Sequence, residues 1–326
     1  MTRIPKQALI AFAGFVFLAF PACALAGLAE GSFERTLSVS GPVDLEVITG
    51  SGNIRVIVAK TASVRVKAFI RARDDFNRRG EEKVRYLESH PPIEQTGNII
   101  KIGRIQEREY SQNVSISYDL EVPAETRLDS RTGSGNQSID GIQGPVDATT
   151  GSGNVNASNI ANQVRAKTGS GNIELNSVSS SAQAGTGSGG IRASRIGGAF
   201  RGDTGSGNIL LNLTAPGDVE LRTGSGDLEA SGVRGALHAS SGSGSITAAG
   251  EPSGEWKINL SSGNITLRFA PNAAFELAAR TSSGRIDLGQ PVTVSGRISP
   301  KEIHGKIRGG GPLVDVHTSS GNITIQ

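Results

Sequence analysis

One cysteine, one tryptophan, one methionine, three tyrosines and four histidines are spread over 326 residues, and aromatics make up only 4% of the chain. A single thiol rules out a disulfide-stapled scaffold or a cysteine-ligated zinc module, each of which needs several. Charged residues are also sparse, at 19%, and nearly balanced, with 33 Lys and Arg against 30 Asp and Glu. No basic excess marks the chain for nucleic acid. Thirteen prolines against 44 glycines do not make a collagen-type Gly-X-Y repeat. With 36% hydrophobic residues the chain is too apolar for wholesale disorder. What remains is a glycine-rich all-β protein.

The first 26 residues read as a secretory signal. Arg3 and Lys6 precede an apolar run from Ala8 to Phe20, and Ala24-Leu25-Ala26 supplies the small residues a signal peptidase reads. The run is shorter than the roughly 20 residues needed to span hydrocarbon, and no later segment approaches that length. Cleavage after Ala26 takes Lys and Arg from 33 to 31 against 30 Asp and Glu, a net charge of +1. A second reading makes Phe20-Pro21-Ala22-Cys23 a lipobox and Cys23 a lipidated first residue, but Phe and Pro are unusual ahead of such a cysteine. Export to the periplasm or cell surface is expected either way, and a cysteine-free mature chain fits an oxidising compartment.

An internal repeat dominates the rest. A motif close to Thr-Gly-Ser-Gly-Asn-Ile places its second glycine at 135, 153, 171, 189, 207, 226, 244, 263, 284 and 321. The steps are 18, 18, 18, 18, 19, 18, 19, 21 and 37 residues, the last reading as two periods with His304-Gly305-Lys306-Ile307 as a degenerate unit. A further copy stands at Thr49 to Ile54. Apolar residues keep register with the motif: Val155, Ile173, Ile191, Ile209, Leu228, Ile246, Ile265, Ile286 and Ile323 follow it, and pairs such as Val146/Ala148, Val164/Ala166 and Val219/Leu221 precede it. Period-two alternation means strands. A unit of about 18 residues cannot bury its own apolar side chains, but stacked units can. The expected fold is therefore an all-β, single-stranded β-solenoid with about 18-residue coils over 128–326. Ten steps from Gly135 to Gly321 give about 48 Å at the usual strand spacing. Residues 27–127 read as an N-terminal β-rich cap, with a charged insertion at 74–90 in which Glu82 to Leu87 forms a short helix ended by Pro91-Pro92.

The order of a strand pair, a Thr-Gly-Ser-Gly-Asn-Ile copy, a charged insertion, the stretch Asn113-Val-Ser-Ile-Ser-Tyr-Asp-Leu-Glu-Val-Pro-Ala124 and then serial repeats resembles the DUF4097 family of bacterial adhesin-like proteins. The resemblance covers nearly the whole mature chain. It implies a β-solenoid, an envelope or surface location and an adhesin-like label, and it supplies no catalytic residues.

The residues themselves argue against chemistry. A phosphate loop needs a helix after its glycines and occurs once, whereas here a strand follows every copy. Calcium β-rolls need several carboxylates per turn, and only Asp227 stands at the Asn position, where it reads as a solvated turn residue. A carbohydrate-active β-helix enzyme, a lyase or hydrolase, is the competing function. It calls for carboxylates converging on adjoining coils, and Glu174, Asp203, Asp218, Glu229, Asp287 and Asp315 follow no shared register. The four histidines show no metal spacing, and no cofactor is expected.

One column carries charge. The residue before the motif's Thr reads Arg131, Thr149, Lys167, Gly185, Asp203, Arg222 and Ser240, and later Arg280 and His317. Stacked, these form a partly basic outward stripe that reads first as a solvated outer face, surface charges of both signs being the norm, and second as a contact for anionic envelope glycans through Arg131, Lys167, Arg222 and Arg280; Asp203 stands within ion-pair reach of Arg222 one coil away. Gln137 interrupts the branched-residue column and, facing inward, needs hydrogen-bond partners from the N-terminal region. The strand Ile323 to Ile325 with no capping element after it suggests end-to-end self-association. The expected function is a non-catalytic, exported, adhesin-like scaffold for binding or assembly.

Overall fold

The computed structural model describes residues 28–73, 79–289, 293–294 and 299–326. The signal segment, Cys23 and residues 74–78 of the charged insertion lie outside them. Alternating apolar residues form strands that bury every second side chain, as in Val164–Thr168 and Ile173–Val178. Glycine-rich corners join these strands into coils of two strands each. The coils stack in parallel and make two facing sheets, A with 14 strands and B with 15. Within sheet A, Ile173 lies in register between Val155 and Ile191, and Ile191 next to Ile209, all buried. The expected spine of stacked branched side chains is thus the core between the sheets.

Chain order and stacking order agree through the middle and part at both ends. Near the N-terminus, the coil Val43–Thr49 and Ile54–Val58 lies between Ile99–Ile102 with Val114–Val122 on one side and Thr126–Thr132 with Gln137–Asp140 on the other. At the far end, Leu313–Ser320 and Ile323–Ile325 lie between Trp256–Ser262 with Ile265–Phe269 and Phe275–Ser283 with Ile286–Leu288. Among the described residues this makes twelve coils, about 53 Å at the usual strand spacing. Ile323–Ile325 is therefore an interior strand, which removes the uncovered strand that suggested end-to-end association.

The 37-residue step is not two periods. Glu302–Ile307, which includes the expected degenerate unit, runs antiparallel to Phe275–Ser283 on its outer side. Its exit carries no Ser-Gly-Asn corner; Arg308, Gly309 and Gly310 at φ 51°, 89° and 88° turn the chain back into the stack. Antiparallel strands likewise close the first coil, with Ile93–Thr96 on sheet B and Ser63–Arg73 then Leu28–Ser38 on sheet A. Helix α1, Arg79–Ser89, runs beyond the expected span at both ends and stops before Pro91. Its Val84 and Leu87 are buried, and Glu88 accepts the Ser32 N–H at 2.9 Å.

Candidate functional site

The repeat motif is a corner whose polar groups are spent on holding coils together. Thr186 Oγ1 donates to the Gly171 carbonyl of the preceding coil at 2.8 Å and accepts the Gly189 N–H of its own coil at 3.1 Å. Thr150, Thr168 and Thr204 repeat both bonds. Asparagines bridge coils on the outside: Asn136 Oδ1 accepts the Asn154 N–H and Asn154 Oδ1 the Asn172 N–H. Asp227 is no idle turn residue, since its Oδ1 accepts the Ser245 N–H at 2.7 Å. With these N–H groups internally paired, the corner is not a phosphate cradle. Glycine is required because a Cβ on Gly171 would run into the Gly153 carbonyl, and the same holds up the column.

From Gly226 onward the corner changes form. Gly226, Gly244, Gly263 and Gly321 have φ of 158°, 126°, 132° and 141°. Each donates its N–H to a serine carbonyl of the next coil, Gly263 to Ser320 at 2.8 Å and Gly321 to Ser283 at 2.8 Å. Leu260 can therefore occupy the threonine column there.

Two columns of side chains face outward on sheet B. The first holds Arg131, Thr149, Lys167, Gly185, Asp203, Arg222, Ser240, Asn259, His317 and Arg280 in paired register. The geometry of the stripe is as expected, with Arg280 last because its coil lies outermost. Its ion pairs differ. Asp203 bonds Arg201 at 3.0 Å, and Arg222 bonds Glu220. These partners sit two residues away on the same strand, on the same face, and Arg201 bonds Glu220 at 2.8 Å, so the two coils are joined through the second column and not by a direct Asp203–Arg222 pair. Arg131 likewise bonds Asp129 at 2.6 Å. Lys167 and Arg280 have no ion pair among the described residues.

The second column runs Glu46, Asp129, Asp147, Arg165, Gln183, Arg201, Glu220, His238 and Lys257. From Asp129 to His238, together with Pro145, Gln163, Ser181, Ala199 and Asp218 at the adjacent turns, it lines a groove of about 680 Å³. The groove crosses seven successive strands, about 29 Å along the stack. Glu46, Asp129 and Asp147 stand on adjoining coils, a clustering of acids that the sequence reading missed. They occur six residues before the indexed glycine of their coils, a position that could have been tabulated. Burial pushes the Asp129 carboxyl above its ordinary range; Arg131 opposes this, while Asp147 and Glu46 reinforce it. Arg104 binds Glu46 through two bonds of 2.6 and 2.9 Å. Among the described residues no group of three or more His, Cys, Asp or Glu is arranged to hold a metal ion.

Gln137 is buried, with its Nε2 donating to the carbonyls of Thr149 at 2.6 Å and Ser130 at 3.3 Å. Both acceptors lie on sheet B strands facing it across the core, because the side chain reaches straight over the narrow interior. The outward face of sheet A mixes small polar residues with charges of both signs: one column runs Ser138, Asn156, Glu174, Arg192, Leu210, Glu229, Thr247 and Thr266 in register.

The Toastrack DUF4097 family model matches residues 100–219 and 200–326, more than two thirds of the chain. The chain belongs to this family. No match is found among curated proteins. Solved structures that align with this Toastrack chain include a candidate cell adhesion protein from Clostridium sporogenes, 10% identical, covering 91% of this chain and 99% of that one at a TM-score of 0.21. A candidate lipid-binding protein from Parabacteroides distasonis is 14% identical, with coverages of 90% and 96% and a TM-score of 0.41. A candidate adhesin from Bacteroides fragilis is 11% identical, with coverages of 91% and 97% and a TM-score of 0.30. Among the described residues no helix of this Toastrack chain is long and apolar enough to cross a membrane.

Proposed function

We propose that this protein is a non-catalytic, exported envelope scaffold, adhesin-like in use, that holds an extended anionic glycan along the outer face of sheet B. The supporting observation is the groove, which crosses seven successive strands; its wall mixes Arg127, Arg165 and Arg201 with Asp129, Asp147, Asp218 and Glu220, so an anionic polymer is held at the cations and not along its whole length. A stack hydrogen-bonded from end to end is already ordered, so binding loses little protein freedom. Arg165 in the groove wall and Lys167 in the neighbouring column, outside the groove, have no ion pair among the described residues, and neither does Arg280 on the outermost coil, beyond the groove's end. Arg131 and Arg222 are already held by Asp129 and Glu220 and contribute less. The protein acts in the periplasm or at the cell surface after loss of residues 1–26, with lipid anchoring through Cys23 as the lesser route.

The test is retention of the mature chain on an immobilised anionic glycan at low salt. Arg165→Glu with Lys167→Glu should elute markedly earlier, and the equal charge change Arg192→Glu with Arg268→Glu on sheet A should not. Unchanged retention of the first variant, or equal losses in both, refutes the reading. The carbohydrate-active alternative has one observation in its favour, the adjacent acids Asp129 and Asp147 in the same groove. It requires release of reducing ends from the bound glycan, abolished by Asp129→Asn.

A further inference from the structure

The coil at 313–326 fills a slot whose two walls are built entirely from residues 256–289. Val314 lies between Trp256 and Leu277, Val316 between Ile258 and Ala279, and Ile323 between Ile265 and Ile286. Val314, Val316, Thr318, Ile323 and Ile325 are wholly buried there. Outside, Asn264 Oδ1 accepts the Asn322 N–H at 2.9 Å, and Asn322 Oδ1 accepts the Arg285 N–H at 3.1 Å. Beyond the strands, the Gln326 carbonyl accepts the Phe269 N–H at 2.9 Å. The segment makes all of these contacts by itself, so an identical segment from any other copy would make the same ones.

Its connection to the preceding strand is a hinge by composition and by conformation. Arg308-Gly309-Gly310-Gly311-Pro312 carries the chain from the outer side of Phe275–Ser283 to the inner side, crossing over Ala274 to Glu276. This crossing holds three consecutive residues at positive φ, including Arg308 at 51°, which bears a Cβ. An extended hinge relieves Arg308, and Pro312 biases Gly311 toward extended backbone. Short hinges held in tight turns invite exchange of the element that follows them.

We propose that two copies of this chain exchange the 313–326 coil, each filling the other's slot, to give a twofold dimer joined at the ends of the two stacks. Exchange takes place during folding at high concentration. Once the segment is absent, the repeat register also allows Phe275–Leu288 to close directly onto Trp256–Phe269, so a segment must arrive before the slot shuts.

Asn259 and His317 are outward neighbours across the slot, at a backbone separation of about 4.8 Å that a disulfide can bridge. Full-length Asn259→Cys and His317→Cys chains, both in a Cys23→Ser background and carrying different tags, are refolded together or mixed after folding. The proposal expects a disulfide-linked heterodimer, well above either homodimer, only on co-refolding and in proportion to concentration. The unsubstituted chain refolded at high concentration should show by light scattering a dimer that persists on dilution. Deleting Gly309 and Gly310, which leaves the closed crossing too short, should raise the dimer share severalfold. Absence of the 259–317 link at every concentration, or a strictly monomeric refolded chain, overturns the proposal.

Discussion

Replacing Thr186 by valine isolates the contribution of the corner hydroxyl at constant shape. The substitution removes the bond from Oγ1 to the Gly171 carbonyl and the bond from the Gly189 N–H, both buried. Two backbone groups are then left unpaired away from water, at about 1–3 kcal/mol each, against about 0.8 kcal/mol returned by the extra buried methyl. The net loss is about 3 kcal/mol. Thr186→Ser keeps both bonds and loses one methyl, about 1 kcal/mol. Thr318→Val tests the same column in the second corner form, where the Gly321 N–H already donates to the Ser283 carbonyl and the hydroxyl's own bond is 3.3 Å long. Its cost should not exceed about 1 kcal/mol. Urea unfolding of the three variants, with amide exchange at Gly189 as a local readout, checks the order. Equal stability of Thr186→Val and Thr186→Ser, or equal losses for Thr186→Val and Thr318→Val, refutes the assignment of the hydroxyl as the clamp.

Gly171→Ala should lose about 3 kcal/mol, because the new Cβ meets backbone that cannot rotate away, while Gly185→Ala, with open space around it, should gain about 0.5 kcal/mol; thermal melts of the pair decide it. Asp129 has a raised carboxyl pKa in the folded protein, chiefly through burial, so the folded state binds the proton more tightly than the unfolded one. Its contribution to stability therefore falls as pH rises from about 4, the unfolded value, through the raised folded value. Asp129→Asn should flatten that part of the stability profile, measured as denaturant midpoints from acid to neutral pH, and an unchanged slope counts against the burial argument.

The period, the strands and the inward spine were legible because a stacked fold repeats its constraints once per coil. Ile173, Ile191 and Ile209 announce one another at constant spacing, and each requires the same neighbour. The order of the coils was not legible at the ends, since any coil of this kind fits beside any other. The copy at Thr49 to Ile54 and the copy at Gly321 look like members of one series, yet the first is stacked against a coil eighty residues later in the chain and the last lies inside the one before it. The outward charges were half legible. Their column was right because it follows from register, and their partners were wrong because long side chains two residues apart on one strand reach each other as readily as those on adjoining coils. What those charges meet was not legible at all, since a repeat constrains the neighbours inside the stack and not the partner outside it.

The interleaved ends bear on how a stack this long stays whole. In a strictly sequential solenoid the terminal coil has one neighbour and can peel away alone, exposing the next. Here the coil at 313–326 has a neighbour on both sides, and peeling the outermost coil, Phe275–Leu288, takes with it the antiparallel strand Glu302–Ile307. At the opposite end the first coil in sequence is held in the same way by Ile99–Ile102 and Val114–Val122. Fraying one layer at either end therefore means opening several elements together, which raises its free energy above that of a single coil. Amide exchange should accordingly be slow through Val314, Val316, Ile54 and Val56 despite their position in the sequence, and as fast there as in any frayed terminus if the coils were stacked in chain order.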